Sequence, residues 1–231
     1  MRTLGIIGGM SWESTALYYR LINQKIRGRC GGLHSAPLLI CSYNFAKIEP
    51  LQAQHLWEEA GAMLAETARR LETSGAEGLI LATNTMHRVA PAVADRIGVP
   101  LIHIADSTAE RAKACGVSMV GLLGTRFTME EAFYRDHIAS HGIDVLTPSP
   151  SDIPMVNAVI FEELCQGKIL DTSRTEYRRV VADLASRGAE AIILGCTEIG
   201  LLLRQEDAEV PLLDSAEIHA EAAVNFILEG G

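Results

Sequence analysis

Short apolar runs rich in Ile, Val and Leu recur at Leu4–Ile7, Pro37–Cys41, Gly78–Leu81, Pro100–Ile104, Met119–Leu123, Asp144–Leu146, Ala191–Leu194 and Val210–Leu213, and between them the apolar positions fall at helical spacing. Near-continuous apolar strands alternating with helices predict an α/β protein, because a parallel strand is covered on both faces. The polar punctuation agrees. Ser11 stands where it can cap a helix running to about Arg27, and Leu51–Ser74 reads as one long amphipathic stretch. Thr172-Ser173-Arg174-Thr175-Glu176 offers a cap residue and a capping-box carboxylate ahead of a helix over Tyr177–Ser186. No linker rich in Gly, Ser or Pro divides the chain.

The pattern repeats. Gly75-Ala76-Glu77-Gly78-Leu79-Ile80-Leu81-Ala82-Thr83-Asn84-Thr85 aligns residue for residue with Gly188-Ala189-Glu190-Ala191-Ile192-Ile193-Leu194-Gly195-Cys196-Thr197-Glu198, which pairs Thr83 with Cys196. Leu4-Gly5-Ile6-Ile7-Gly8 likewise matches Val120-Gly121-Leu122-Leu123-Gly124, and Val99-Pro100-Leu101-Ile102 matches Val210-Pro211-Leu212-Leu213. Three matches in one order predict two related halves. The expected division is an N-terminal domain of residues 1–103 closed by a helix within 213–231, and a second domain of residues 104–212, each a short, mainly parallel sheet flanked by helices. Ligands of α/β proteins gather beyond the carboxyl ends of strands and between domains. The expected site is therefore an interdomain cleft with Thr83 and Cys196 on opposite walls.

Composition narrows the function classes. The 231 residues are 48% hydrophobic, which excludes intrinsic disorder, and the net charge of −9 has no basic block to offset it. Nucleic acid is thereby set aside as a partner. No apolar run reaches the roughly 18 residues of a membrane helix, and Met1-Arg2-Thr3-Leu4-Gly5 leads into a strand with no signal-peptide core, so a cytoplasmic protein is expected. The five cysteines form no C-x-x-C pair and read as free thiols in a reducing compartment. Cys30, Cys41, Cys115 and Cys165 fit packing or loop positions. Cys196 differs, because it falls between a buried strand and Thr197-Glu198-Ile199-Gly200, where a helix N-terminus would lower its pKa and favour the thiolate.

Gly8-Gly9-Met10-Ser11 and Gly124-Thr125-Arg126-Phe127-Thr128 read as strand-to-helix turns whose N–H groups could receive an anion, or whose glycines merely permit close packing. Neither is G-x-G-x-x-G, and no G-x-x-x-x-G-K-[ST] occurs, so a small carboxylate suits them better than a nucleotide. His137 and His141 are spaced i, i+4 without the glutamate of H-E-x-x-H and read as a solvated helix face, with no metal implied. His87 could orient a group in the cleft or simply cap or pack. The absence of G-x-S-x-G removes the nucleophile elbow of α/β-hydrolases.

With Gly8-Gly9-Met10-Ser11, Thr83-Asn84-Thr85 and Gly195-Cys196-Thr197-Glu198 in view, the whole chain resembles the aspartate/glutamate racemase family. The resemblance implies two pseudo-symmetric α/β domains, a homodimer, and racemisation of a small acidic amino acid without pyridoxal phosphate or metal. It also implies a cysteine at both strand ends, one for each face of the substrate α-carbon. Here Thr83 replaces one of them, as in an L-aspartate/L-glutamate-specific branch that carries a Thr/Cys pair. A threonine hydroxyl is a far weaker acid than a thiol and a poor base without help. The expectation is a two-base site in which Cys196 takes the α-proton and Thr83 protonates the other face, with a preference for the L-form. Asn84, Thr85, Thr197 and the backbone N–H groups of the helix starts would stabilise the developing charge. By resemblance, Met10, Gln52, Asn84, Thr85 and Lys168 match substrate-contacting positions, Lys168 offering a cation to the distal carboxylate. The segment Ser42–Gln54, where aspartate racemases place an arginine, holds Lys47 and Gln52 but no Arg. Related cysteine-dependent enzymes (hydantoin racemase, arylmalonate decarboxylase, maleate isomerase) and a non-catalytic binder of small carboxylates are the alternatives.

Overall fold

Seven of the eight apolar runs form strands in the computed structural model, which describes residues 1–229. The chain divides into two compact units, one formed by Met1–Ile104 with the segment from His219, the other by Ala105–Ile218. All strand pairings in both are parallel.

In the first unit the sheet order is β2-β1-β3, from β1 (Leu4–Gly8), β2 (Leu38–Ser42) and β3 (Gly78–Leu81). Helix α1 (Trp12–Cys30) is capped as expected, Ser11 Oγ accepting from Ser14 N at 3.3 Å. The long stretch after β2 is two helices instead of one, α2 (Phe45–Ala53) and α3 (Trp57–Thr73), because the chain turns at His55, whose φ is +55°. The amphipathic period passes unbroken through this bend, so periodicity alone joins the two. A 3₁₀ turn (Thr85–Val89) and α4 (Ala90–Ala94) follow β3. Ile7, Ile48, Leu64, Leu79, Leu81 and Val93 form part of the core.

The second unit repeats the topology with one more strand, in the order β5-β4-β6-β7. It runs through α5 (Ile104–Ala114), β4 (Met119–Gly124), α6 (Arg126–Glu130), α7 (Ala132–Ser140), β5 (Asp144–Leu146), α8 (Ile153–Glu162), α9 (Asp171–Ser186), β6 (Ala191–Gly195), α10 (Ile199–Leu202), β7 (Leu212–Asp214) and the start of α11 (Ser215–Leu228). Its core gathers Leu123, Ile160, Tyr177, Leu184, Ile192 and Leu194. The capping box ahead of Tyr177 does not form. Helix α9 begins earlier, at Asp171, and Ser173 instead donates to Glu163 Oε2 at 2.6 Å.

The internal repeat has a structural meaning. Gly75 and Gly188 both take a left-handed φ, +100° and +104°, turning the chain into β3 and β6. The glutamate two residues on then caps the neighbouring strand, Glu77 Oε2 accepting from Thr3 N and Glu190 Oε2 from Ser118 N, each at 2.6 Å. The third match is reduced in the first unit. Strand β7 pairs with β6 through Ile192↔Leu212, whereas the run Pro100–Ile104 makes only the single parallel bridge Leu79↔Leu101 before α5 begins at Ile104. Among the described residues no helix is long and apolar enough to cross a membrane.

Candidate active site

Parallel pairing aligns the carboxyl ends of all strands in a sheet. In the first unit Gly8 sits opposite Ser42 and Ile7 opposite Leu81, so the turns carrying Met10 and Thr83 and the chain entering α2 leave the same sheet edge, while Gln52 stands near the other end of α2. The β1 turn is tightly built. Gly9 has φ +82°, and a Cβ there would lie 2.1 Å from the Tyr43 carbonyl oxygen. Its N–H donates to Thr15 Oγ1 at 2.7 Å, and Ser14 Oγ donates to the Ala82 carbonyl at 2.8 Å, which ties α1 to the residue before Thr83.

Thr83, Asn84 and Thr85 are all buried. His87 fastens their turn from behind. The Ile104 N–H can only donate, so it fixes His87 Nε2 as acceptor at 3.2 Å, and Nδ1–H then donates to the Thr83 carbonyl at 2.7 Å. Both ring nitrogens are thus engaged with backbone, and the orienting role of His87 is exerted on the turn. Gln52 is buried, with Nε2 3.0 Å from Met86 Sδ, and Met10 belongs to the apolar core of the first unit.

In the second unit Gly124 pairs with Gly195, which sets the turns carrying Thr125 and Cys196 side by side. Ser215 Oγ, at the start of α11, donates to the Leu194 carbonyl at 2.6 Å. Cys196 is 8% exposed and donates from Sγ to Glu198 Oε2 at 3.0 Å. Thr197 Oγ1 donates to the same oxygen at 2.7 Å, and Glu198 is itself buried.

This arrangement corrects the expectation of a lowered thiol pKa. Burial, then the negative charge of Glu198, push the Cys196 thiol well above its ordinary value. The helix that was to favour a thiolate, α10, has only four residues, too few for a strong dipole. Cys196 therefore rests as a thiol. Thr197 is also revised: its one hydroxyl hydrogen goes to Glu198, leaving its lone pairs as acceptors for a ligand donor. Glu198, which the sequence reading did not single out, is the buried acid that both side chains meet.

Lys168 lies on an exposed stretch after α8 and donates from Nζ to Gln166 Oε1 at 2.8 Å. The histidine pair is not a plain solvated face either, because His137 and His141 both bond Asp106 Oδ1 through Nε2, at 2.6 and 2.8 Å.

Two α/β units of one strand order, each closing its repeated strand in a polar turn with Thr83 or Cys196 at equivalent positions, define a duplicated α/β scaffold. The profile of the Asp/Glu/Hydantoin racemase family matches residues 7–223. The chain belongs to that family. It is similar over 99% of its length, at 50% identity and a TM-score of 0.93, to the whole of a solved candidate Asp/Glu racemase from Yersinia pestis. An aspartate racemase homologue from Pyrococcus horikoshii is 36% identical with a TM-score of 0.85, covering 98% of this chain and 99% of that one. The broad specificity amino-acid racemase RacX of Bacillus subtilis is 24% identical over 97% of this chain and 98% of its own.

Proposed function

We propose that the protein racemises an acidic amino acid, aspartate or glutamate, with preference for the L-form, and that Cys196 and Thr83 serve opposite faces of the substrate α-carbon. The observation that carries this reading is the equivalence of the two residues, each the second residue beyond its strand's last core position in a repeated sequence. Membership in the racemase family supports the reaction class.

The chemistry follows from the side chains. The α-hydrogen of an amino acid is a very weak acid, so its removal needs a base held in contact and donors aimed at the developing charge. On the first unit, Asn84 and Thr85 supply such donors, with Met10 and Gln52 bounding the substrate. Cys196 as thiolate takes the α-hydrogen from one face, forming an S–H bond as the C–H bond breaks. Thr83 delivers its hydroxyl hydrogen to the other face and is reprotonated from solvent.

Lys168 is proposed as the partner of the distal carboxylate. A second reading, a broad amino-acid range, is favoured by the exposed position of Lys168 and by the lack of an arginine in Ser42–Gln54.

The test is α-deuterium incorporation in D₂O with the L- and D-forms of aspartate, glutamate and a neutral amino acid. Wild type is expected to exchange the acidic substrates, and Cys196→Ala to lose at least about 1,000-fold in rate. Exchange of the neutral substrate at a similar rate selects the broad reading. If wild type exchanges none of them, or Cys196→Ala exchanges as wild type does, the proposal fails.

A further inference from the structure

We propose that Glu198 is the acceptor of the Cys196 hydrogen, so that Cys196 acts as a base only by first passing its proton to this carboxylate. The inference rests on the reading of Cys196 as the group that meets the substrate α-hydrogen, and it names how that thiol can do so.

The geometry places an acceptor beside the thiol proton. Glu198 Oε2 lies 3.0 Å from Cys196 Sγ and 2.7 Å from Thr197 Oγ1, and all three residues are buried, at 8%, 4% and 5% exposure for Cys196, Thr197 and Glu198. An ionised carboxylate has no hydrogen of its own, so the thiol and the hydroxyl must both donate to it. Loss of the thiol proton to solvent would put a second negative charge beside Glu198 in a medium that solvates charge poorly. Passing the proton across the hydrogen bond adds no charge at all. The pair carries one negative charge before and after, moved from oxygen to sulfur. The transfer need only be populated transiently when substrate is in contact.

The step balances. The S–H bond breaks as an O–H bond forms on Glu198, giving thiolate and carboxylic acid. The thiolate then takes the α-hydrogen, restoring S–H and leaving the pair electrons on the substrate α-carbon. Thr83 supplies a proton to the opposite face, and Glu198 returns its proton to solvent, from which Thr83 recovers one. Thr197 also bonds the acceptor oxygen. Glu198 is thus a positioning residue that acts through Cys196. The repeat makes the role specific to one half, since Thr85 occupies the position equivalent to Glu198 in the Thr83 turn.

Substitution of Glu198 separates this role from a purely electrostatic one, because the two predict opposite signs. Glu198→Gln keeps an oxygen for the thiol to bond but cannot take the proton, and it removes the charge that hinders thiol ionisation. If Glu198 merely burdens Cys196, the variant gains thiolate and exchanges faster at neutral pH. On the present proposal kcat for α-deuterium exchange into L-aspartate falls about 100-fold or more while KM stays within about threefold. Its rate then climbs with pH as solvent takes over as proton acceptor, although iodoacetamide labels Cys196 at lower pH than in wild type. Glu198→Asp, which keeps the carboxylate, is expected to recover part of the rate.

An unchanged or raised kcat in Glu198→Gln overturns the proposal. So does equal inactivity of Gln and Asp variants accompanied by a large fall in melting temperature, which marks a structural role. A wild type that exchanges no substrate sinks the racemase reading itself, whereas exchange in wild type with no effect of Glu198→Gln removes only this inference.

Discussion

The turns after β3 and β6 occupy the same place in the repeat and are built to opposite ends. Thr83 sits in a turn fastened by neutral backbone bonds, with His87 holding the Thr83 carbonyl. Cys196 sits in a turn organised around a buried charge, with the thiol and Thr197 both donating to Glu198. The same duplicated scaffold therefore offers a weakly acidic hydroxyl in one half and a thiol hydrogen-bonded to a buried carboxylate in the other. The difference teaches that the repeat sets where a hydroxyl or thiol stands, while the residues beside it decide what surrounds that group.

The contrast can be broken first by stability. The residues that follow β1 and β4 in the repeat are Gly9 and Thr125, one at φ +82° against the Tyr43 backbone, the other an extended helix cap at φ −63°. Gly9→Ala is expected to cost about 3 kcal/mol or more, since a Cβ there meets backbone that cannot move aside. Thr125→Ala loses the capping bond from Thr128 N and the contact with Thr128 Oγ1, about 1 kcal/mol. Thermal melts of both variants check this, and equal losses would mean that the first turn relaxes freely.

A smaller effect distinguishes the halves by pH. Burial holds His219 of the first unit neutral, its pKa lowered from 6.5 to about 4, while burial raises Asp214 of the second from 3.8 to about 6. Between pH 6.5 and 4 the unfolded chain takes up a proton at His219 that the fold refuses, so this group costs stability as pH falls. Between pH 6 and 3.8 the fold takes up a proton at Asp214 that the unfolded chain does not, so this group adds stability as pH falls. The two offset in wild type. Asp214→Asn should therefore lose about 2 kcal/mol more than wild type on going from pH 6.5 to 4, and His219→Gln should lose less than wild type. Parallel stability curves for all three proteins would contradict the assignment.

The smallest expected effect concerns direction. Thr83→Cys gives the first turn a more acidic group, without a carboxylate at the Glu198 position. The initial rate from D-aspartate relative to L-aspartate should rise about tenfold. An unchanged ratio would show that Thr83 is not the weaker partner.

Much of this architecture is legible in the residues themselves. The apolar runs mark seven strands, and the repeat identifies the paired turns, because buried parallel strands and tight glycine turns write strong local patterns. What was not legible depends on packing. His55 reverses the chain without a Gly or Pro to announce it, and Leu101 makes one bridge where its counterpart Leu212 lies in a strand. Cys196 shows the larger gap. Its position after a strand suggested an activated thiol, but burial and the carboxylate two residues on act the other way, and neither burial nor a side chain's aim can be read from spacing. The cue that was available is Glu198 itself, an acid directly beyond an apolar strand, where a buried charge requires a partner.

The division of the chain also bears on how the protein is made. The second unit is one continuous stretch, Ala105–Ile218, whereas the first is split and takes back the end of α11. Its assembly waits for that end: Tyr18 Oη meets His219 Nδ1 at 2.8 Å, the Arg2 N–H donates to the Ile227 carbonyl at 2.8 Å, and Phe226 fills the space beside Gly78. On a ribosome adding roughly 5–20 residues each second, the thiol-bearing half has its full set of contacts available while the threonine-bearing half still lacks its closing helix. Vectorial synthesis thus favours completing the later-encoded half first, and a chain broken off after Ile218 would retain the surroundings of Cys196 and lose the contacts of Tyr18, Arg2 and Gly78 that close the other half.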